Sequence, residues 1–409
     1  MTTSEFLSSI GFIADGSNNE DIASAFDAEI RAALEGRASS LRMLPAELGS
    51  DIRLVANKAA VIDAGGTNLR VAEVEIGTDG SEPVFRNVRK TFMPGTHGRL
   101  TADAFHAAIA REAEAVFAAE GVDRLGYCFS YECRSLPNGD AELLAWSKQV
   151  DAPEVVGQRV GEELAKRLSK PPQSVKVLND TVATLLAGCA RVGSDQASGY
   201  LGFILGTGTN VACSEAGMLR NAESGEFNRL RRSTADLALD GLTADPGCAV
   251  FEKMVAGAYL GNLGLCLFRE AARAGLFAEG TEGRLAAIPA LETRDLDLFV
   301  VGELPAALTN LFAADDLATA RELARAVFQR AAHLTAAHLA AFLRRTASPD
   351  ASKPVVITAD GSTFWKTKAV SFEQTLVERL SSLSDIPPFR IVCVDEAPMV
   401  GAAVAACMG

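Results

Sequence analysis

Residues suited to phosphate binding follow an apolar segment early in the chain. The run 60–62 leads into Asp63-Ala64-Gly65-Gly66-Thr67-Asn68, and a second β-branched run follows over 69–74. Two adjacent glycines between two predicted strands allow a sharp turn and bring backbone N–H groups close to a ligand, with no Cβ in the way. The pattern predicts an anion-binding turn.

The side chains around this turn suit both phosphate and a metal ion. Thr67 and Asn68 can donate hydrogen bonds to phosphate oxygens, and Arg70 can add positive charge. Asp63, at the end of the first strand, can hold Mg²⁺ directly or through its waters. The alternative interpretation is an ordinary β-hairpin turn that contains two glycines.

The same design occurs twice more along the chain. A predicted strand over 199–205 ends in Gly206-Thr207-Gly208-Thr209-Asn210 and is followed by another strand over 211–214. A third polar loop, Asp360-Gly361-Ser362, follows a strand predicted over 354–358. The first two units together predict a duplicated architecture with a nucleotide between its halves.

An acidic residue stands where a strand gives way to a helix. Asn179-Asp180-Thr181 follows the short strand 175–178 and opens an Ala/Leu-rich helix that is predicted to end at Cys189. Open α/β sheets bind their ligands beyond the carboxyl ends of strands, so Asp180 is a candidate for chemistry. The alternative is that Asp180 or Thr181 caps the helix.

Length and composition limit the possible classes of protein. A chain of 409 residues predicts two domains or one with a large insertion. Its net charge of −13 argues against nucleic-acid binding. The N-terminal residues do not have a leader pattern, and no apolar run has the ~20 residues of a membrane span. The eight dispersed cysteines predict buried thiols in a reducing cytoplasm, with a metal site or disulfide as the alternative.

Other elements must position these loops. Apolar spacing predicts helices over 19–36, 102–120, 155–168 and 319–345, with a C-terminal helix over 398–407. It predicts further strands over 69–76, 84–92, 124–131 and 390–394. Residues 40–45 are interpreted as an apolar tether leading to the first strand, and 130–148 as a polar connection.

In order along nearly the whole chain, these motifs resemble the hexokinase family, in its eukaryotic-type hexokinase/glucokinase branch within the actin-like ATPases. The segments that carry the resemblance are SLRMLP (40–45), IDAGGTNLRV (62–71), PGTHGR (94–99), LAWSK (144–148), LNDTVATLLAG (178–188), GTGTN (206–210), NAESGEF (221–227), DPG, FEKM and YLG within 245–261, RAA (330–332) and DGS (360–362). Their joint order and spacing make a chance match improbable.

The resemblance implies an α/β fold of two domains hinged around a cleft, the actin-like ATPase (RNase H-like) fold. We expect residues 1–55 to pack as a helical segment on the large domain. Residues 56–188 are then the small domain, 189–395 the large domain, and 396–409 a helix that returns to the small domain. The ligands implied are a hexose, ATP and Mg²⁺.

Carried over position by position, the resemblance also implies two groups of site residues. The sugar site is implied at Ser130, Ser147, Lys148, Asn179, Asp180, Asn210, Glu223 and Glu252. The nucleotide site is implied at Asp63, Gly65, Gly66, Thr67, Asn68, Arg70, Thr207, Gly361 and Ser362. Because each sugar hydroxyl is both donor and acceptor, carboxylates and amides are the side chains such a site needs.

The implied reaction is phosphorylation of the primary hydroxyl of glucose or a related hexose. Asp180 would accept the hydroxyl proton, an effect typically worth ~10²–10⁴-fold. Lys148 and the amides of the glycine turn would stabilise the transferred phosphoryl group, with Mg²⁺, held through water by Asp63, bridging the β- and γ-phosphates. Holding both substrates in attack geometry contributes about 7–11 kcal/mol, so positioning outranks proton abstraction.

Several positions depart from the family pattern. Tyr131-Glu132 stands where the family commonly has Phe-Pro, Ser147 where it has Thr, Ala249 where it has Gln, and Ser224 where it has Trp. Of the C-terminal glycine-rich stretch that flanks adenosine, only Gly401 remains.

Two alternative functions follow from this comparison. The first is a hexokinase-like sugar sensor with impaired or no turnover. The second is a zinc-containing bacterial sugar kinase or regulator, which requires a C-x-C-G-x-x-G-C segment that the sequence lacks.

Overall fold

Two β-sheets with the same strand order form the framework of the computed structural model. It describes residues 1–49, 51–77, 81–117, 121–146, 150–193, 196–346 and 352–409. The strands are β1 (Leu44–Gly49), β2 (Lys58–Ala64), β3 (Asn68–Glu75), β4 (Val84–Phe92), β5 (Arg124–Phe129), β6 (Glu132–Ser135), β7 (Ala141–Ala145), β8 (Ser174–Leu178), β9 (Gly199–Leu205), β10 (Thr209–Glu215), β11 (Met218–Asn221), β12 (Val355–Asp360) and β13 (Phe389–Val392).

The helices pack around these sheets. They are α1 (Thr3–Ser9), α2 (Asn19–Leu34), α3 (Ala102–Phe117), α4 (Val160–Ala165), α5 (Asp180–Val192), α6 (Thr234–Asp240), α7 (Val250–Val255), α8 (Leu260–Arg273), α9 (Thr281–Ala286), α10 (Thr293–Val300), α11 (Leu317–Thr346), α12 (Ser362–Lys366), α13 (Phe372–Ser381) and α14 (Ala397–Cys407). None of them is both long and apolar enough to cross a lipid bilayer.

The duplication predicted from the two glycine-rich units is confirmed by the sheet topology. The small sheet has the order β4-β3-β2-β5-β8, in which β2–β4 form an antiparallel meander and β5 and β8 extend it in parallel. The large sheet repeats this order as β11-β10-β9-β12-β13 and adds β1 at its edge. We call the two halves the small lobe and the large lobe.

Glycine-rich turns occupy equivalent places in the two lobes because the strand orders match. In each sheet the first strand ends at a turn into the second, namely residues 65–67 after β2 and 206–208 after β9. The strand next to it, β5 in the small lobe and β12 in the large lobe, ends at Phe129 and at Asp360 respectively, and Ser130 follows Phe129. The carboxyl ends of these parallel strands therefore lie at one edge of each sheet.

Helices α5 and α14 lie between the two sheets. Helix α5 packs on β9, β10 and β12 of the large sheet, and α14 packs on α5 and on β2 and β5 of the small sheet. They share one buried apolar cluster with residues of both sheets, including Val61, Leu185, Ala212 and Val404. The first residues of α5 are thereby held at the junction of the lobes.

The N-terminal helices pack on the large lobe. The amide of Asn19 donates to the carbonyl oxygen of His333 at 2.6 Å, and the ring of Phe26 stacks on Phe227 with centroids 3.5 Å apart. Asn18 stands at the N-cap position of α2 without a side-chain cap hydrogen bond. The helix ends before Gly36, whose φ of 69° is left-handed.

Three predicted segments, two connections and one helix, differ from the structure. The tether at 40–45 enters β1, which pairs with β11 so that Leu44 faces Asn221. The polar stretch from residue 130 contains the hairpin β6–β7. The helix expected over 155–168 is limited to Val160–Ala165, because Pro153 begins a separate short turn and Gly157 is left-handed.

Candidate active site

Asp180 is the first residue of α5, directly after β8. Asn179 is the helix cap, and its Oδ1 accepts a hydrogen bond from the N–H of Thr181 at 2.8 Å. The capping alternative for Asp180 or Thr181 is therefore wrong. Within the described residues, the carboxylate of Asp180 receives one weak hydrogen bond, from the Thr181 hydroxyl at 3.3 Å.

Carboxylates from both lobes converge on Asp180. Burial raises the pKa of Asp63, Glu223 and Asp360, and in each case the charge of Asp180 raises the pKa further. Charges exert such effects only over short distances in a partly buried site. Strand-end loops that are far apart in the sequence therefore meet around Asp180.

A chain of amide hydrogen bonds supports Glu223. The Nδ2 of Asn210 donates to Oδ1 of Asn221 at 2.7 Å, and the Nδ2 of Asn221 donates to Oε1 of Glu223 at 2.7 Å. The N–H of Ser224 donates to Oδ1 of Asn210 at 3.1 Å. Asn221 was not among the predicted site residues because the short strand β11 that presents it was not predicted.

Glu252 is held against the glycine-rich loop of the large lobe. Its Oε2 accepts a hydrogen bond from the N–H of Thr209 at 2.9 Å. A Cβ at Gly208 would lie 2.4 Å from that same oxygen, so only glycine allows this approach. Burial raises the pKa of Glu252, and the charges of Glu226 and Glu223 add to the shift.

In the small lobe, residues 65–68 form the turn between β2 and β3. The N–H of Gly65 donates to the carbonyl oxygen of Asn68 at 3.0 Å, so the hairpin alternative describes the backbone correctly. Gly65 has no left-handed φ, and Thr67 is exposed. The buried Ser130 adjoins this turn, because its N–H donates to the carbonyl oxygen of Ala64 at 3.3 Å.

Asp63 forms an ion pair with Arg70, its register partner on β3. The Oδ2 of Asp63 accepts hydrogen bonds from Nε of Arg70 at 2.9 Å and from Nη2 at 2.5 Å. Arg70 also pairs with Glu396 at the start of α14. The predicted metal-binding carboxylate and the predicted phosphate-binding guanidinium therefore neutralise each other in this structure.

The two nucleotide-type loops of the large lobe pack on each other. The hydroxyl of Thr363 and the N–H of Gly257 each donate to the carbonyl oxygen of Gly206 at 2.8 Å. Gly361 has φ of 114°, and its N–H donates to Oδ1 of Asp360 at 2.7 Å. Thr207 and Ser362 remain exposed beside this junction, where a ligand can reach them.

A crevice opens where the lobes meet. Its walls include Ala46 of β1, Tyr131 after β5, Asn179 and Val182 at the start of α5, and Asn221 and Glu223 after β11. Two predicted residues, Ser147 and Lys148, lie outside the described part of the chain. Trp146 precedes them and packs edge-on against Tyr131, with ring centroids 4.8 Å apart.

Two residues that the sequence did not indicate as a pair contact each other beside this crevice. Arg42, before β1, pairs with Glu132 at the start of β6. They are 90 residues apart, so no spacing pattern could have identified the pair.

Known proteins share both the sequence pattern and the fold. Family profiles described as "Hexokinase" match residues 10–190 and 200–408. Hexokinase-2 of Solanum tuberosum is 29% identical over 78% of this chain and 73% of its own length. Hexokinase-1 of Nicotiana tabacum is 29% identical over 88% of this chain and 82% of its own length. The structure of a Schistosoma mansoni hexokinase complexed with glucose has a TM-score of 0.77 at 25% identity, covering 99% of this chain and all of that one.

The fold is that of the actin-like ATPases, and the protein is a sugar kinase by class. The chain belongs to the hexokinase family. The resemblance and the α/β fold class predicted from the sequence are both confirmed.

Proposed function

We propose that this chain transfers the γ-phosphoryl group of ATP to the primary hydroxyl of glucose or a related hexose. The observation that carries the proposal is the position of Asp180, which follows Asn179 in the crevice that Glu223 also lines. Asp180 also lies two residues beyond Leu178, whose register partner Cys128 is in turn paired with Asp63 beside the glycine turn. A sugar bound at Glu223 and a triphosphate bound at the glycine turn would meet at Asp180. The glucose bound in the Schistosoma mansoni relative supports the choice of sugar.

The sugar would bind to the polar groups of the crevice. Glu223 and Glu252 provide carboxylate acceptors, while Asn179 and Asn210 provide amides. Partly buried carboxylates that are already fixed by Asn221 and Thr209 need little reorganisation when they accept hydroxyl hydrogen bonds. Ser130, Ser147 and Lys148 complete the proposed set.

Asp180 would act as the general base. It takes the proton from the primary hydroxyl, the hydroxyl oxygen forms a bond to the γ-phosphorus, and the bond from that phosphorus to the ADP oxygen breaks. The cap at Asn179 fixes the backbone of Asp180 and leaves its carboxylate for substrate. Lys148 and the amides of the glycine turn would stabilise the charge on the transferred group.

Mg²⁺ fits the carboxylates present. Among the described residues, no three His, Cys, Asp or Glu side chains cluster as a metal site by themselves. Mg²⁺ takes most of its ligands from phosphate oxygens and water, so one or two protein carboxylates are enough to hold it. Asp63 and Asp360 are the carboxylates we propose to contact that shell, and the bound ion would neutralise charge on the β- and γ-phosphates.

We propose that the lobes act as hinged domains with the boundaries predicted from the sequence: 1–55 and 189–395 with the large domain, 56–188 and 396–409 with the small one. Closure would exclude water, which competes with the sugar as acceptor. We also propose a cytoplasmic location, which is supported by the absence of disulfides among the eight free cysteines.

A coupled assay with ATP and Mg²⁺ tests the function. Glucose, mannose, fructose and glucosamine are offered separately, and ADP release and sugar phosphate are both measured. We expect turnover with glucose or a related hexose. Hexose binding measured by calorimetry without turnover on any of the four sugars would contradict the proposal and favour the sugar-sensor alternative.

A further inference from the structure

Tyr131 touches the glycine-rich turn by a contact that the proposed mechanism does not use. Its hydroxyl donates a hydrogen bond to the carbonyl oxygen of Gly65 at 2.7 Å. The side chain is 4% exposed. The ring is held by Phe129, with centroids 4.8 Å apart, and by Trp146 at the same distance. The hydroxyl is therefore a fixed donor aimed at the turn.

The acceptor of this bond belongs to the peptide unit that also carries the Gly66 N–H. Because that unit is planar and trans, its carbonyl and N–H groups point in opposite directions. A hydrogen bond to the Gly65 oxygen therefore fixes the direction of the Gly66 N–H, which points away from Tyr131. Within the described residues, the Gly66 N–H donates to no backbone carbonyl, so it is available to a ligand.

Such a constraint matters at a Gly-Gly sequence more than elsewhere. Glycine has little preference between the two signs of φ, so a peptide between two glycines can rotate at low cost. Rotation would turn the Gly65 carbonyl oxygen, instead of the Gly66 N–H, towards a bound phosphate. An oxygen facing a phosphate repels it, so one hydrogen bond determines whether the turn attracts or repels the anion.

We infer that Tyr131 is a positioning residue that orients the Gly66 N–H towards the phosphates of ATP. The family commonly has phenylalanine at this position, so the device belongs to this sequence. The inference rests on the proposed nucleotide site at the turn. In this inference the hydroxyl acts through the peptide, while the ring of Tyr131, which lines the crevice, is kept in Tyr131→Phe.

The test compares Tyr131→Phe with Tyr127→Phe. Both variants lose one buried tyrosine hydroxyl from the same stretch of the small lobe. The Tyr127 hydroxyl has no hydrogen-bond partner among the described residues, so this variant controls for the general effect of the substitution. Calorimetry measures Kd for the ATP analogue AMP-PNP with Mg²⁺ and, separately, Kd for glucose. Steady-state assays give KM for each substrate.

We expect Tyr131→Phe to weaken AMP-PNP binding and raise KM for ATP by about 3- to 10-fold, the effect of one neutral hydrogen bond. Glucose affinity stays within twofold of wild type, and Tyr127→Phe changes neither ligand. Equal AMP-PNP affinity in the two variants would overturn the inference. An equal loss of both ligands in Tyr131→Phe would also overturn it, because general loosening of the lobe would then be the cause.

Amide hydrogen exchange over residues 62–71 locates the effect. We expect faster exchange in Tyr131→Phe than in Tyr127→Phe. Weaker nucleotide binding with unchanged exchange would place the loss outside the turn and refute the inference. Because AMP-PNP affinity requires no turnover, failure of the proposed kinase reaction and failure of this inference remain distinguishable.

Discussion

The guanidinium of Arg42 donates a hydrogen bond to Oε1 of Glu132 and so joins the two lobes beside the crevice. The backbone of Arg42 is anchored to the large lobe, because its N–H donates to the carbonyl oxygen of Ala222 at 3.1 Å. Arg42 lowers the pKa of Glu223, whereas Glu132 raises it. The pair therefore adjusts the charge of a proposed sugar ligand from outside the site.

The two partners should affect the pH dependence of sugar binding in opposite directions. Loss of the positive charge in Arg42→Met raises the pKa of Glu223. As the pH is lowered, Glu223 is then protonated earlier, so hexose affinity is lost at a higher pH than in wild type. Loss of the negative charge in Glu132→Gln lowers that pKa and extends binding to lower pH. We expect small shifts because both side chains are partly solvent-exposed. Calorimetric Kd for glucose between pH 4.5 and 8 measures them.

The same pH series separates this electrostatic effect from simple mechanical coupling of the lobes by the ion pair. If the ion pair acts only as a latch, both variants should weaken glucose binding at every pH and by similar factors. Shifts in the same direction would contradict the electrostatic interpretation.

Glu223 is expected to reduce the stability of the folded chain at neutral pH. Burial and the charge of Asp180 raise its pKa above the value in the unfolded chain, so folding binds protons here. The contribution of such a group to stability is full below the unfolded pKa of about 4.3 and is lost as pH rises through the folded pKa. Glu223→Gln should therefore raise the melting temperature at pH 7–8, by about 1–3 °C, while weakening glucose binding.

The gain should shrink as the pH falls below the raised folded-state pKa of Glu223, because its carboxyl is then protonated in the folded chain and is uncharged like the glutamine that replaces it. The exposed Glu303 provides the control, because Glu303→Gln should leave glucose binding and melting unchanged. A lower melting temperature for Glu223→Gln at pH 8 would contradict the assignment of burial as the main cause.

Asp180→Ala should abolish turnover and leave sugar binding largely intact. Loss of a general base typically costs ~10²–10⁴-fold in rate, and the remaining sugar contacts come from Glu223, Glu252 and the amides. The coupled assay gives kcat, and calorimetry gives Kd for glucose. Asp315→Ala, at an exposed position on the large lobe, is the control for loss of one aspartate. Retained turnover in Asp180→Ala would refute the base assignment.

Gly208→Ala should damage the sugar site with little effect on folding. The new Cβ would lie 2.4 Å from Oε2 of Glu252 and would force that carboxylate off the N–H of Thr209. Glucose KM should rise about tenfold or more, since a buried polar contact worth about 1–3 kcal/mol is lost. Gly283→Ala, where a Cβ meets nothing within 4 Å, is the matched control. Unchanged glucose KM in Gly208→Ala would mean that Glu252 does not contact the sugar.

Most strands of the two sheets could be predicted from the sequence, whereas β1, β11 and the hairpin β6–β7 could not. The strands over 84–92 and 199–205 were predicted with the observed bounds, because apolar or β-branched runs end at clear turn residues. The strand β1 escaped prediction because it is short and its partner Asn221 lies far along the chain. The hairpin β6–β7 lacks a clean apolar alternation.

The residues of the candidate site also include some that could be predicted from the sequence and some contacts that could not. Residues that follow predicted strands, such as Asp63 and Asp180, could be named from the sequence. Contacts that depend on packing, such as the Tyr131 hydroxyl on Gly65, could not. The prediction that the cysteines are buried thiols is wrong for Cys248 and Cys393, which are both exposed.

Gly401 is the last glycine of the stretch that flanks adenosine in the family, and the structure gives it a packing role. A Cβ there would lie 1.7 Å from the carbonyl oxygen of Ala183 and 2.7 Å from its Cα, both backbone atoms of α5 that cannot move alone. Gly401→Ala must therefore separate α14 from α5, which we expect to cost about 3 kcal/mol or more in the free energy of unfolding. Because α5 begins with Asp180, kcat should fall as well.

Urea unfolding and the coupled assay measure the two effects of Gly401→Ala, with Gly283→Ala as control. An unchanged unfolding midpoint together with a raised KM for ATP would instead assign Gly401 to the nucleotide site.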